Sequence, residues 1–255
     1  MLAEKLYPFV QTLAEKSAAV ITPYFANARL EVELKQDESP VTHADRAAER
    51  VMRDLIAKQF PKHGIIGEEY GPENENAEFV WVVDPIDGTK SFASGCPLFG
   101  TLICLLQEGV PILGAIHQPV LGQFCFGDNH TTTLNSKKVA MRPTSQLDNA
   151  SLLTTDIKNI FQHQDGANFE KLAEKVGMFR TWGDCYGYLL LATGWADIMI
   201  DPIMNPWDLL PLIPVIRGAN GIITTWDGSN PVKGTSIVAA NKLIHGRVIE
   251  MLNAP

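Results

Sequence analysis

The segment Trp81-Val82-Val83-Asp84-Pro85-Ile86-Asp87-Gly88-Thr89-Lys90-Ser91-Phe92 constrains this chain more than any other. An apolar run, Phe79-Val80-Trp81-Val82-Val83, ends in two aspartates set three apart. Its β-branched and aromatic content reads as a buried strand. Pro85 has no N–H for the ladder and is expected to stop the strand. Asp84 and Asp87 would then sit at the strand's carboxyl end, on a turn closed by a following helix. Two carboxylates this close repel each other without a cation between them, and hard divalent cations take oxygen ligands. Gly88 lets backbone approach a ligand, and the N–H groups of Gly88, Thr89 and Lys90 would open a helix N-terminus that favours phosphate. An ordinary Asp-Pro turn with a helix cap is the plainer reading. The further carboxylates described below weigh against it.

The chain has 255 residues, 45% hydrophobic and 20% charged, an ordinary globular composition with enough apolar content for a sizeable core. Its length permits one large domain or two modest ones. The net charge of −8, with no basic patch or tail, argues against a nucleic-acid or anionic-membrane binder. Cys96, Cys104, Cys125 and Cys185 form no C-x-x-C pair and no zinc-like spacing, so free thiols in a reducing compartment are expected. The first residues show no apolar signal region, and no stretch is apolar for long enough to span a bilayer. A cytoplasmic location is the expectation.

Residues 1–26 carry Leu6, Phe9, Val10, Leu13, Ala14 and Val20 near helical spacing, ended by Pro23 and Asn27. A polar turn follows at residues 35–40. Thr42 can cap a second helix running to about Phe60, with Asp45 in its first turn. Val51, Leu55 and Ile56 give that helix an apolar face, and Arg46, Glu49, Arg50 and Arg53 are expected to be solvated. Strand-like pieces at residues 64–67, 79–83, 100–106, 112–118 and 123–127 follow one another, which suggests an antiparallel sheet. Residues 128–148 read as a polar connection. A boundary there gives an N-terminal α+β domain, 1–140, and a C-terminal α/β domain, 141–255. In the second part strands at 150–154, 179–182 and 196–200 alternate with helices at 169–176, 183–193 and 207–217.

More carboxylates accompany the first pair. Glu68 and Glu69 end the strand at 64–67 and, being adjacent, point in different directions. Asp208 follows Pro206 at the start of an apolar helix, where an aspartate usually serves as a cap or dipole partner. With Glu68, Asp84 and Asp87 it could instead complete an oxygen-rich site for Mg²⁺, which keeps waters, one of them a possible nucleophile. A Thr hydroxyl held by a carboxylate could relay that water's proton, which brings Thr89 and Asp45 into consideration. The plainer readings are a cap for Thr89 and a surface position for Asp45. His43 reads as solvated and His117 as packed in a strand rather than as a metal ligand.

These segments resemble the inositol monophosphatase superfamily of Mg²⁺-dependent, lithium-sensitive phosphatases. Residues 35–45 resemble its K-x-D-x-[ST]-P-V-T-x-x-D segment, and Gly67-Glu68-Glu69 its G-E-E. Asp84-Pro85-Ile86-Asp87-Gly88-Thr89 resembles its D-P-[IL]-D-G-T signature, and Pro206-Trp207-Asp208 its W-D element. The resemblance implies that Glu68, Asp84 and the Ile86 carbonyl hold one Mg²⁺, and that Asp84, Asp87 and Asp208 hold a second. Glu69 would order water around a third, weaker metal. Thr89, paired with Asp45, would activate the attacking water, while Gly88 and Thr89 offer N–H groups to the phosphate. The implied fold is α/β, a layered αβαβα sandwich shared with fructose-1,6-bisphosphatases, usually as a homodimer.

Metal ligands do not choose the substrate. Trp182-Gly183-Asp184-Cys185-Tyr186-Gly187-Tyr188 resembles the W-G-D-x-Y-G-Y run of the histidinol-phosphate phosphatase branch, and Asp201, seven before Asp208, resembles that branch too. Histidinol phosphate carries an ammonium and an imidazole, which Asp184 and Asp201 could attract. Asp184 could equally cap its helix, Asp201 could bind a sugar hydroxyl, and Tyr186 and Tyr188 read as packing residues. Arg180 could touch phosphate or pair with a surface carboxylate. The expected activity is Mg²⁺-dependent hydrolysis of L-histidinol phosphate, a small phosphorylated metabolite, in histidine biosynthesis. The alternatives are hydrolysis of inositol-1-phosphate or other polyol phosphates, and a non-catalytic metal or phosphate sensor.

Overall fold

Strand alternation sorts the core of this chain into layers. The computed structural model describes residues 2–26, 32–34 and 40–255. Two helices come first, α1 (Leu2–Ile21) and α2 (His43–Gln59), with the paired strands β1 (Val32–Leu34) and β2 (Pro40–Thr42) between them. Residues 35–39 and the Thr42 side chain, which was expected to cap α2, lie outside the described part. The buried face of α2 is Ala44, Ala48, Met52 and Ile56, spaced by four; of the expected apolar face, Ile56 lies in it, Leu55 packs partly buried against the same cluster and Val51 is half-buried.

Next come β3 (Gly64–Gly67), β4 (Gly71–Glu73), β5 (Phe79–Asp87), the short helix α3 (Thr89–Ala93), β6 (Gly100–Gln107), β7 (Val110–Gln118), β8 (Gln123–Gly127), β9 (Thr132–Leu134) and β10 (Lys137–Val139). They form an eight-stranded sheet in the order β10-β9-β8-β7-β6-β5-β3-β4. Only β3 and β5 pair in parallel, so the expectation of an antiparallel sheet fails at that one pair. Residues 132–139 are a hairpin rather than a featureless connection. Its two-residue turn, Asn135-Ser136, has φ of 48° and 65°, as a twisted tight hairpin requires.

The remaining elements are β11 (Ser151–Thr154), α4 (Ile157–His163), α5 (Gly166–Lys175), β12 (Met178–Arg180), α6 (Asp184–Ala192), β13 (Ile198–Asp201), α7 (Pro206–Leu209), α8 (Leu212–Gly218), β14 (Gly221–Thr224), β15 (Ile237–Asn241) and α9 (His245–Leu252). Their five strands make a mixed sheet, β12-β11-β13-β15-β14. The helix expected over 207–217 is two short helices, α7 and α8.

On β5, Trp81 and Val83 face α1 and α2, joining Leu13, Met52 and Ile56 in one buried cluster. Val80 and Val82 face the other way, against Tyr188 and Leu189 of α6 and Leu212 and Ile213 of α8. That same cluster reaches Met199, Ile237 and Ala239 of the second sheet. The alternate residues Ile198, Ile200, Val238 and Ala240 pack on Phe169 and Leu172 of α5 and Val248 of α9. The layers are therefore helices, sheet, helices, sheet, helices, the αβαβα sandwich implied by the family resemblance. Among the described residues no helix is long and apolar enough to cross a membrane.

Candidate active site

The β5 strand does not stop at Pro85. It continues to Asp87 through an irregularity, with Asp84 opposite Leu102 and Asp87 opposite Gly100. Three steps on β5 face two on β6, and a proline is tolerated at such a bulge because its missing N–H is not needed there. The bulge is braced from both sides. Ile86 N–H donates to Asp84 Oδ1 at 2.9 Å, and the Thr101 hydroxyl donates to the Pro85 carbonyl at 2.8 Å. Asp84 and Asp87 thereby bring carboxylate oxygens within 4.8 Å of one another at the carboxyl end of β5.

Asp208 arrives from α7. Its Oδ2 accepts from the Asn205 N–H at 3.0 Å in a capping box, with Pro206 in the first turn. Asp208 thus caps α7 and also joins an acidic group, because Asp84, Asp87 and Asp208 each offer an oxygen within 4.8 Å of the others, without Glu68. Asp45, Glu68 and Glu69 form a second group on the same criterion. The two groups are close enough to interact electrically. Burial, then Glu68, Asp87, Asp45 and Asp208, push the Asp84 carboxyl well above the usual carboxylate range. Burial, Asp184 and Asp208 do the same to Asp87, opposed by the Cys185 N–H that donates to its carboxylate from the start of α6. Burial raises Asp208 to about 7, with Glu68 contributing. Carboxylates so placed are costly to ionise without a cation. All-oxygen, acidic donors of this kind suit Mg²⁺ and similar hard cations.

Beside the carboxylates is a cleft of about 370 Å³, walled by Glu68, Gly88, Lys90, Ser91 and Thr181 among others. Gly88 has φ +87°, the left-handed region that favours glycine, at the start of α3. The Thr89 hydroxyl donates to the Ile86 carbonyl at 3.0 Å, so the proton that the resemblance directs towards Asp45 rests on the backbone in this structure.

A smaller recess of about 90 Å³ adjoins this cleft and is lined by Asp87, Asp184, Tyr188, Asp201 and Asp208, among others. Asp184 does not cap α6, whose preceding residue is Gly183. It sits at φ 50° with its Oδ2 accepting the Ser91 hydroxyl at 3.1 Å. Burial raises Asp184 to about 6, against the opposing influence of Ser91 and Lys90. Asp201 accepts from the Thr155 N–H at 3.0 Å and from the Tyr188 hydroxyl at 2.9 Å, and burial raises it to about 7. Tyr188 is core, as expected, but its hydroxyl also orients Asp201.

Arg180, expected to contact substrate, is exposed on β12 and donates to the Phe179 carbonyl at 2.7 Å; it does not line the cleft. His117 is packed, with burial lowering its pKa. Asp156 and Asn159, which line both the cleft and the recess, were missed. The signal was present, because Asp156 caps α4 ahead of Ile157, Ile160 and Phe161 at helical spacing. Glu49 is the sharper miss. It is fully buried rather than solvated, and Arg53 donates to its Oε1 at 2.8 Å.

The profile of the inositol monophosphatase family matches residues 2–254. The chain belongs to the inositol monophosphatase family. It is 41% identical over 253 residues to the bifunctional phosphatase IMPL2 of Arabidopsis thaliana, covering 94% of this chain and 72% of that protein. It is 34% identical to the histidinol-phosphatase of Chlorobaculum parvum, covering 93% and 92% of the two chains. The solved structure of an inositol monophosphatase from Zymomonas mobilis superposes with a TM-score of 0.88 at 33% identity over 99% of each chain. The protein is accordingly a phosphoric monoester hydrolase of this family, and its acidic clusters fit a divalent metal cofactor.

Proposed function

We propose that this family member hydrolyses L-histidinol phosphate to L-histidinol and phosphate with Mg²⁺ as cofactor. The observation that carries the reading is the pair of buried acidic groups in the recess, whose raised pKa values an incoming cation would lower. Asp184 and Asp201 are carboxylates beyond those of the metal clusters, buried next to the place where the non-phosphate end of a substrate would lie. A polyol brings no charge to offset them. An ammonium or imidazolium does, and in a low-dielectric recess that pairing is strong. The histidinol-phosphatase relative supports the same substrate.

In this reading Glu68, Asp84, Asp87, Asp208 and the Ile86 carbonyl hold the metal ions, and Glu69 and Asp45 border a further position. Bound Mg²⁺ would supply an acidified water and neutralise charge on the phosphoryl oxygens. The Gly88 and Thr89 N–H groups steady the phosphate at the start of α3. Thr89, whose hydroxyl rests on the Ile86 carbonyl in this structure, would turn to orient the attacking water with Asp45 as its carboxylate partner. Asp184 and Asp201 bind the cationic end and set its direction relative to the phosphate.

A second reading, inositol-1-phosphate hydrolysis, is favoured by the whole-chain likeness to the Zymomonas enzyme, since Asp201 can accept from hydroxyls. Purified protein with Mg²⁺ and L-histidinol phosphate should release phosphate and L-histidinol in equal amounts. No phosphate release from any phosphomonoester would contradict the catalytic reading and revive a metal or phosphate sensor.

A further inference from the structure

The turn that carries Glu68 and Glu69 is gripped from beneath by a charge that takes no part in the cleft. Glu49 Oε2 accepts the Glu69 N–H at 2.7 Å, and Glu49 Oε1 accepts the Tyr70 N–H at 3.2 Å. Arg53, one helical turn on, donates Nε to Glu49 Oε1 at 2.8 Å and Nη2 to the Gly71 carbonyl. Arg53 also lies 3.6 Å from Glu73 and 5.8 Å from the centre of the Tyr70 ring. The fit at Gly67 is tight, since a Cβ there would stand 2.1 Å from Glu49 Oε1. Glu49 itself has no exposed surface.

A buried carboxylate receiving three N–H donors fixes those donors closely, because each lost bond would leave a buried group unsatisfied. Two of the donors are backbone N–H groups, of Glu69, whose side chain joins the Asp45, Glu68 and Glu69 group, and of its neighbour Tyr70; the third is Arg53 Nε. Asp45 lies one turn before Glu49 on α2. One helix therefore presents a carboxylate of the cluster and holds the turn that presents the other two.

We propose that Glu49, ion-paired with Arg53, is a positioning residue for the metal site: it sets the backbone of the Glu68–Glu69 turn so that Glu68 meets its metal ion and Glu69 the further position beside it. The inference rests on the metal-dependent reading above. Groups that orient metal ligands typically change affinity by about 10–100-fold when removed.

The test is Mg²⁺ titration of the full-length protein by calorimetry, alongside the Mg²⁺ dependence of phosphate release. Glu49→Gln keeps the size but turns an NH₂ donor towards an existing donor. It should weaken Mg²⁺ binding about tenfold or more, while kcat at saturating Mg²⁺ falls far less. Met52→Ala, a buried change on the same helix, should lower Tm and leave Mg²⁺ affinity within about twofold, as expected for a change with no shared partner at the metal. Arg53→Lys should weaken Mg²⁺ binding in the same direction by a smaller factor, and it carries the test if Glu49→Gln does not fold. Unchanged Mg²⁺ affinity in the folded Glu49 or Arg53 variants would overturn the proposal, as would an equal loss in Met52→Ala. Wild-type protein that binds no Mg²⁺ would instead overturn the metal-dependent reading beneath it.

Discussion

Gly88 faces the carboxylate of Asp184: a Cβ on Gly88 would stand 2.9 Å from Asp184 Oδ2. The phosphate-side turn and the helix that carries Asp184 are thus packed backbone against side chain. Gly88→Ala adds left-handed strain of about 1–2 kcal/mol and forces Asp184 or the Leu98 carbonyl to move. The expected outcome is a lower Tm together with a loss of kcat/KM of about tenfold or more. Thermal unfolding and phosphate release on the same preparation check it.

Asp184→Asn keeps the shape and tolerates the left-handed backbone, because asparagine adopts that region readily. It removes the negative charge. A charge-assisted contact is worth about 1.5–3 kcal/mol, so kcat/KM for L-histidinol phosphate should fall at least about tenfold further than for inositol-1-phosphate. Equal losses for the two substrates would make Asp184 a brace for Ser91 and not a cation receptor.

The stability of the metal-free protein should depend on pH through the raised carboxylates. Asp201 and Asp208 lie near 7 in the fold against an ordinary 3.8. A folded value above the unfolded one contributes stability that is full at low pH and is lost as pH rises through the folded value. His117 and His245, lowered by burial, act in the opposite sense, but only as pH falls below about 6.5. The clean window is therefore pH 6.5–7.5, where metal-free Tm should fall as pH rises. Mg²⁺ competes with the proton on Asp208, so the gain in Tm on adding it should be larger at pH 7.5 than at pH 6.5. Scanning calorimetry with and without Mg²⁺ measures both.

Much of this architecture was legible because it is written in period-two and helical alternation. Val80 and Val82 against Trp81 and Val83 is one example. The acidic residues Asp84, Asp87, Glu68 and Asp208 were legible because their types suit a hard cation, whereas their division into two groups, with Glu68 beside Asp45 and Glu69, depends on the fold. Other features were hidden for physical reasons. A proline normally ends a strand, and only a bulge lets β5 run through Pro85 to Asp87. Residues 132–139 look polar because the turn Asn135-Ser136 and Lys137 and Lys138 of the edge strand β10 are exposed. Glu49 with Arg53 four residues later looks like a solvated helix pair, and its burial follows from where the Glu69–Tyr70 backbone folds over it.

Away from the cleft, Asp197 is fully buried and accepts from Arg142, from the Ser151 N–H at 2.7 Å and from the Ser151 hydroxyl at 2.9 Å. Burial works to raise its pKa, but the bonds from Arg142, Thr144 and Ser151 outweigh it and hold the value below 3.8. Arg142→Ala should cost about 1–3 kcal/mol with kcat/KM unchanged. Its stabilising contribution is present above pH 3.8 and lost as pH falls through the lowered value, so the variant should also unfold at a higher pH on acidification. Urea unfolding across an acid series checks both.

Selection of a cationic phosphate ester by the acidic recess is the proposal on which the substrate assignment depends. It is tested most directly by kcat/KM for L-histidinol phosphate and inositol-1-phosphate, measured side by side by phosphate release at saturating Mg²⁺. A preference for L-histidinol phosphate of about a hundredfold or more is expected, the size that one or two buried charge pairs would give. Equal values, or a preference for inositol-1-phosphate, would contradict it while leaving the metal-dependent hydrolysis intact.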